Sequence, residues 1–421
     1  MLDIFLVLLR EIRVLKILLA NKFFYLKGGV EASFFEIAEV LKQRGHEIAF
    51  FCMKHPRNYS SEYENYFVSN VDYENHTFKN IINASMKLLY SFEAKKNIER
   101  LISEERPDIV HLNSIYHQIS PSIIHSLRKF GISSVMTLHD YKLACVSYLM
   151  MNNGNICEAC KNGRYYHCFL QSCVKNSKIK SLLNTIEMYL HHKIMHIYEL
   201  VDIFISPSKF LKVKLEKMGF KGKIVYLPNF VKAENFKPEF NWKENSIIYF
   251  GRLSKEKGLF TLIEAMKNVK DLSLKIIGEG PIEESLKSKI NCEKIKNVNL
   301  LGFKTGKELK DEIKKSMFVV LPSEWYENNP ISVIESFALG KPVVGARVGG
   351  IPELIKNYET GLTFELGQSE DLILKINYLK KNSDIITGMG KKARAFVEQE
   401  LSSEKYYQRL MEIYNYAISK H

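Results

Sequence analysis

Between residues 245 and 365, short apolar runs repeatedly end in glycine turns and then give way to helical stretches. Ile247, Ile248 and Tyr249 lead into Phe250-Gly251-Arg252. Leu274–Ile277 is closed by Gly278-Glu279-Gly280-Pro281, and Val298–Leu301 by Gly302-Phe303. Phe318–Leu321 precedes a glutamate-bearing segment, and Pro342–Val344 is followed by Gly349-Gly350-Ile351-Pro352-Glu353. Buried strands alternating with helices, with glycines at the strand C-terminal ends, predict a doubly wound parallel sheet. Its ligands should bind beyond those ends.

Two segments supply chemistry there. Arg252 and Lys257 follow the first strand and offer a planar fork and a point charge to a diphosphate. The stretch LPSEWYENNPISVIE, Leu321–Glu335, carries Glu327 and Glu335 with seven residues between them. Asn329 suits a helix N-cap and Pro330 a first helical position, so a helix is expected from about Pro330 to Leu339, ended by Gly340. Unpaired N–H groups at its start suit a phosphate, and the carboxylates can accept hydrogen bonds from sugar hydroxyls. A bare glutamate pair is usually solvated helix surface. The neighbouring cations and glycines favour function here.

The ordered motifs GRLSKEKG, IIGEGP, LLGF, PSEWYENNPISVIES and GKPVVGARVGGIPELI resemble the donor-binding domain of family 4 retaining glycosyltransferases. That resemblance implies an α/β GT-B fold, with two Rossmann-like doubly wound domains facing an interdomain cleft. It implies diphosphate contacts for Arg252 and Lys257, a donor-sugar contact and catalytic role for Glu327, and a ribose contact for Glu335. Gly278, Phe303, Asn328, Asn329 and Ile331 complete the donor-binding set it implies. Many members have Gly-Phe-Gly where this chain has Asn328-Asn329-Pro330, and Pro330 has no N–H to donate.

The N-terminal half reads as a partner domain of the same class. Strands are expected at Ile17–Ala20, Glu47–Cys52, Asp108–Leu112, Val135–Leu138 and Asp202–Ser208. After the first comes Lys27-Gly28-Gly29, then a helix from Ala32 to Arg44. Such a glycine pair is most often a plain turn; the resemblance places Gly28 and Gly29 at the donor phosphates. His139-Asp140, at a strand end, is the candidate catalytic pair: such a His can contact substrate hydroxyls or a developing charge and act as a proton relay, and its Thr-Leu-His-Asp-Tyr setting resembles the family's cleft histidine. His111 is expected to cap a loop. His46, His55, His76, His191 and His192 are expected to be surface or packing residues. No Asp-x-Asp triplet occurs. This fits a metal-independent reaction, with no cofactor required for catalysis. A retaining reaction can use a protein nucleophile or a same-face attack on an ion-pair-like state; the resemblance favours same-face displacement, in which the donor phosphate helps to deprotonate the acceptor hydroxyl.

At 421 residues the chain calls for two domains. They are expected at 15–228 for the acceptor and 229–401 for the nucleotide-sugar, with a helical tail, 402–421, crossing back to the first. Residues 1–14 read as an upstream extension, the alternative being a short amphipathic anchor; MLDIFLVLL is too short to span a bilayer and lacks a basic leader. The net charge of +13 comes without a nucleic-acid motif or compact basic run. Solvated lysines explain part of it. Contact with an anionic membrane surface is the expected partner for the rest. The expected location is cytoplasmic, peripheral on the inner face of the plasma membrane.

An insert of about residues 145–180 carries Cys157, Cys160, Cys168 and Cys173 within seventeen residues. Their number fits a structural tetrahedral zinc site; free thiols, a disulfide or an iron–sulfur centre are the alternatives. Its basic residues Lys161, Arg164, Lys175, Lys178 and Lys180 could meet lipid headgroups.

Three functions fit. The first is a hexosyltransferase-type enzyme moving a sugar from a UDP- or GDP-sugar to a glycan or lipid-linked acceptor, in bacterial cell-surface polysaccharide assembly. The second is another enzyme of this fold, such as a nucleotide-sugar epimerase, which would turn over donor without acceptor. The third is a catalytically idle nucleotide-sugar-binding scaffold.

Overall fold

The computed structural model describes residues 13–70 and 87–421. His76 and most of the expected upstream extension lie outside the described residues. Two six-stranded parallel sheets organise the chain. The first contains β1 (Lys16–Ala20), β2 (Glu47–Phe51), β3 (Ile109–Leu112), β4 (Ser133–Thr137), β7 (Ile203–Ser206) and β8 (Ile224–Tyr226), in the order β2-β1-β3-β4-β7-β8. A two-residue-armed hairpin, β5 (Met151–Asn152) and β6 (Asn155–Ile156), stands apart in the insert. The second sheet contains β9 (Ser246–Phe250), β10 (Ser273–Ile277), β11 (Val298–Leu300), β12 (Val319–Leu321), β13 (Val343–Ala346) and β14 (Gly361–Phe364). Its order, β11-β10-β9-β12-β13-β14, reverses direction between β9 and β12. A reversal of that kind opens a crevice at the strand ends, where this architecture takes its ligands.

Alternation along β1 shows how the first sheet is covered. Leu18 and Ala20 join the core on one face, while Ile17 and Leu19 join the core on the other. That second core is completed from far along the chain. The helix Ser403–Ile418 packs Tyr406, Tyr407, Leu410 and Tyr414 against Leu15, Ile17 and Phe34. The chain crosses between the sheets twice, side by side: Val231 N–H donates to Leu401 O at 3.1 Å, and Val231 bridges Ser402.

Three local expectations are corrected. His111 caps no loop. It lies in β3, buried, with Nδ1 2.7 Å from Tyr414 Oη and Nε2 2.7 Å from Thr137 Oγ1. The imidazole therefore fastens the C-terminal helix to the first sheet, and burial lowers its pKa to about 3. The helix expected from Pro330 begins at Ile331, because Pro330 is extended at φ −66°, ψ 116°. Asn329 is consequently no cap. Its Oδ1 accepts from Asn229 N at 3.0 Å, while Asn229 Nδ2 donates to Asn329 O at 2.8 Å, joining the interdomain crossing to the glutamate segment. The helix after the first glycine pair spans Gly29–Gln43, so Gly28 itself is the N-cap. No helix among the described residues is long and apolar enough to cross a membrane.

Candidate functional site

The site lies where β9 and β12 of the second sheet face β1 and β4 of the first. Lys257 follows β9 and Glu327 follows β12, so the reversal of strand order brings them together. Lys257 Nζ is 2.6 Å from Glu327 Oε1, and Ser323 Oγ donates to the same oxygen at 2.6 Å. Burial alone would raise the Glu327 pKa. The Lys257 charge and these hydrogen bonds outweigh it and hold the carboxyl below its ordinary range. Glu327 is thus a buried carboxylate at neutral pH.

Glycines make this approach possible. Gly258 has φ +67°, and a Cβ on it would stand 1.9 Å from Pro322 O. Gly350 N–H donates to Glu327 O at 2.7 Å, and a Cβ on Gly350 would fall 1.8 Å from Asn328 O. The glycine pair after β13 therefore holds the backbone of the glutamate segment.

Across the cleft, Gly29 packs against Ile331, its added Cβ lying 3.6 Å from Ile331 Cδ1. The N-termini of the helices Gly29–Gln43 and Ile331–Ala338 therefore approach each other. Asn328 ties the domains more directly: its Nδ2 donates to Leu138 O at 2.9 Å, and its Oδ1 accepts from Ser208 Oγ at 2.7 Å. Glu353 adds a clamp, accepting from the first backbone N–H groups of the helix Lys209–Lys217 at 2.8 and 2.6 Å.

His139 sits one residue beyond the carbonyl that Asn328 engages. Its Nε2 is 3.0 Å from Asn113 Oδ1, so that nitrogen carries the proton. Burial lowers its pKa to about 4. The imidazole is therefore neutral near pH 7, with Nδ1 left as a hydrogen-bond acceptor. Burial raises Asp140 to about 6, against the Lys142 backbone N–H and charge.

The positive charge at the cleft is larger than the sequence motifs indicated. Burial lowers the Lys27 pKa, as does the like charge of Arg252, while Glu31 opposes both. Lys22 falls to about 8 through burial and then through Lys27. Lys27 stands directly before the glycine pair, which was the signal available for it. On the far side of the helix pair, Glu335 is raised to about 7 by burial and by Glu36, with Lys310 opposing. Asn329 Nδ2 is buried with no partner among the described residues, a donor left for a ligand. Phe303 is exposed at the end of β11, and Gly278 N–H bonds Gly302 O at 2.9 Å, linking the two neighbouring strand ends.

Sequence reasoning missed Glu158, because its partners are distant in the chain. It lies between Cys157 and Cys160 and accepts from Tyr326 Oη at 2.8 Å, pinning the insert to the residue beside Glu327. The four predicted cysteines, with Cys145, line one small cavity. No three His, Cys, Asp or Glu side chains among the described residues are placed to share a metal ion. All seven cysteines are free thiols.

Comparison with known proteins bears on this geometry. Residues 27–235 match Glycosyltransferase Family 4, and residues 231–397 match Glycosyl transferases group 1. A glycosyltransferase of Methanocaldococcus jannaschii whose function is uncharacterised, MJ1178, is 24% identical over 401 residues, covering 95% of this chain and 98% of its own. The amylovoran biosynthesis glycosyltransferase AmsK of Erwinia amylovora is 32% identical over 177 residues, 40% of this chain and 44% of its own. Among solved structures, Anabaena HepE in complex with UDP superposes with a TM-score of 0.67 at 15% identity, covering 94% of this chain and 99% of that one. At that identity the likeness shows the fold, which is GT-B.

Proposed function

The chain belongs to the family 4 glycosyltransferases, and we propose that it is a retaining, metal-independent enzyme that moves a sugar from a UDP- or GDP-sugar to a glycan or lipid-linked acceptor in cell-surface polysaccharide assembly. The observation that carries the donor assignment is the Lys257–Glu327 pair, its carboxylate buried, together with the like-charged Lys27 and Arg252 near two helix N-termini. A diphosphate placed among those cations would relieve their mutual repulsion and accept from helix N–H groups. Glu327, kept ionised, would accept from a donor-sugar hydroxyl, and Asn329 Nδ2 would donate to the same ring. Glu335 would take the ribose.

Retention would follow from attack on the face that the diphosphate leaves. There the departing phosphate oxygen takes the acceptor proton, and neutral His139, its own proton engaged by Asn113, offers Nδ1 as a hydrogen-bond acceptor to a sugar hydroxyl instead of shuttling protons. HepE was solved with UDP, which supports a nucleotide donor of that class. AmsK serves amylovoran synthesis, which supports a polysaccharide setting.

The test is a thermal-shift panel of UDP-, GDP-, ADP- and dTDP-sugars on purified protein, with Glu327→Ala alongside. A ligand selective for the native state raises the melting temperature. One nucleotide class should shift the wild type and lose that shift in the variant. Isomerisation of the donor sugar without acceptor would indicate the epimerase alternative.

A further inference from the structure

The helix Lys178–Tyr189 of the insert is packed inside out. Its buried residues are Ser181, Asn184, Thr185, Glu187 and Met188, four of the five polar. Three of its apolar residues face solvent: Ile179 is 81% exposed, Leu182 43% and Ile186 45%, and Ile194 beyond its end is 71% exposed. Positions 179, 182 and 186 fall on one helical face. A water-soluble helix ordinarily places its apolar stripe inward. Here the inward face is held by charge. Glu187, fully buried, pairs with buried Lys142 at 2.8 Å, and Lys142 lies two residues beyond Asp140. The polar side of the helix thus anchors the His139-Asp140 loop, and the apolar side is left over.

The flanks of this stripe are basic. Lys178 and Lys180 stand at its start and Lys193 just past its end, with Lys175 in the preceding turn. The sole acid in the helix, Glu187, points inward. Lys175 also lies close enough to the cleft to lower the pKa of Lys22, after burial and Lys27. We propose that this face docks on an anionic lipid bilayer: Ile179, Leu182 and Ile186 enter the headgroup boundary and the lysines pair with lipid phosphates. A protein surface would satisfy the apolar residues alone; the lysine flanks with no outward acid within the helix select a negatively charged layer. Docked in this way, the helix sets the His139-Asp140 loop about one helix diameter, roughly 10 Å, from the membrane. This deepens the proposal of a lipid-linked acceptor and is independent of the donor assignment.

The test is flotation of the full chain with vesicles of phosphatidylcholine alone or mixed with phosphatidylglycerol, at low and high salt. The wild type should float with the anionic vesicles at low salt only. Ile179→Ser with Leu182→Ser and Ile186→Ser, and separately Lys178→Glu with Lys180→Glu, should each weaken that binding about tenfold or more. Both variants should keep the wild-type melting temperature and nucleotide binding, since the altered side chains support no core. Equal flotation of wild type and variants, or a wild type that stays in solution, would overturn the proposal. So would a wild-type dimer abolished by the serine variant, which would assign the face to a second copy. Loss of nucleotide binding by the wild type with flotation intact would count against the donor assignment alone.

Discussion

Lys257 Nζ and Glu327 Oε1 lie 2.6 Å apart, although seventy positions separate them in the chain. The pair exists because the second sheet reverses its strand order between β9 and β12, so loops from two non-consecutive strands share one crevice. Removing Lys257 leaves a buried carboxylate uncompensated. Lys257→Ala should cost about 3 kcal/mol of unfolding free energy. Adding Glu327→Gln should recover part of that loss. Urea denaturation of the two single variants and the double variant measures the coupling; additive losses would mean that the pair does not interact.

A glycine of the site and one outside it differ sharply in what a methyl group would do. At Gly350 it would meet Asn328 O at 1.8 Å, whereas at Gly388, in the helix Ser383–Glu400, nothing lies within 4 Å. Gly350→Ala should displace the glutamate segment and lower both stability and turnover. Gly388→Ala should stabilise the protein by up to about 1 kcal/mol with turnover unchanged. Thermal denaturation with parallel assays checks the contrast.

Glu335 and Glu36 face each other across the two domains, each raised to about 7. For Glu335 burial is the main cause and Glu36 the second; for Glu36 burial leads, opposed by Lys232 and supported by Glu39. A carboxyl whose folded pKa is raised binds its proton more tightly in the folded state. Its contribution to stability is full below the ordinary value of 4.5 and is lost as pH rises through about 7. The ligand-free protein should therefore lose melting temperature between these values, and Glu335→Gln should flatten that slope. A slope unchanged in the variant would remove Glu335 from the explanation.

His139 is neutral well below pH 7, with burial bringing it to about 4 from the ordinary 6.5. The rate profile should show no limb near 6.5 that His139→Gln removes. His139→Ala should lower turnover by about tenfold, the cost of losing one neutral hydrogen bond worth about 1.4 kcal/mol. A limb near 6.5 that disappears in the glutamine variant would restore the relay role.

Much of the fold was legible because it is periodic. The buried runs Ile247–Tyr249 and Leu274–Ile277 are apolar but for Lys275 and lead into glycine turns, so β9 and β10 could be read directly. β14 was not read, since Gly361-Leu362-Thr363-Phe364 opens on glycine and alternates too briefly. Arg252, Lys257 and Glu327 could be named from local motifs. The side-chain engagement of Asn328 could not, because its partners Leu138 and Ser208 are set by how the domains meet. Asn329 has the chemistry of a cap, but its oxygen goes to Asn229. His111 has the look of a loop residue from sequence only because Tyr414 lies some three hundred positions later, |i−j| = 303. The inward polar face of Lys178–Tyr189 was invisible for a related reason: Lys142, which holds Glu187, belongs to another loop.

The site at the β9–β12 reversal is tested most directly by calorimetric titration of UDP and GDP into wild type and Arg252→Ala. One nucleotide should bind the wild type with one-to-one stoichiometry, and loss of a charge-assisted contact worth about 2 kcal/mol should weaken it roughly thirtyfold. Equal affinity in wild type and variant would contradict the placement of the diphosphate beside Arg252.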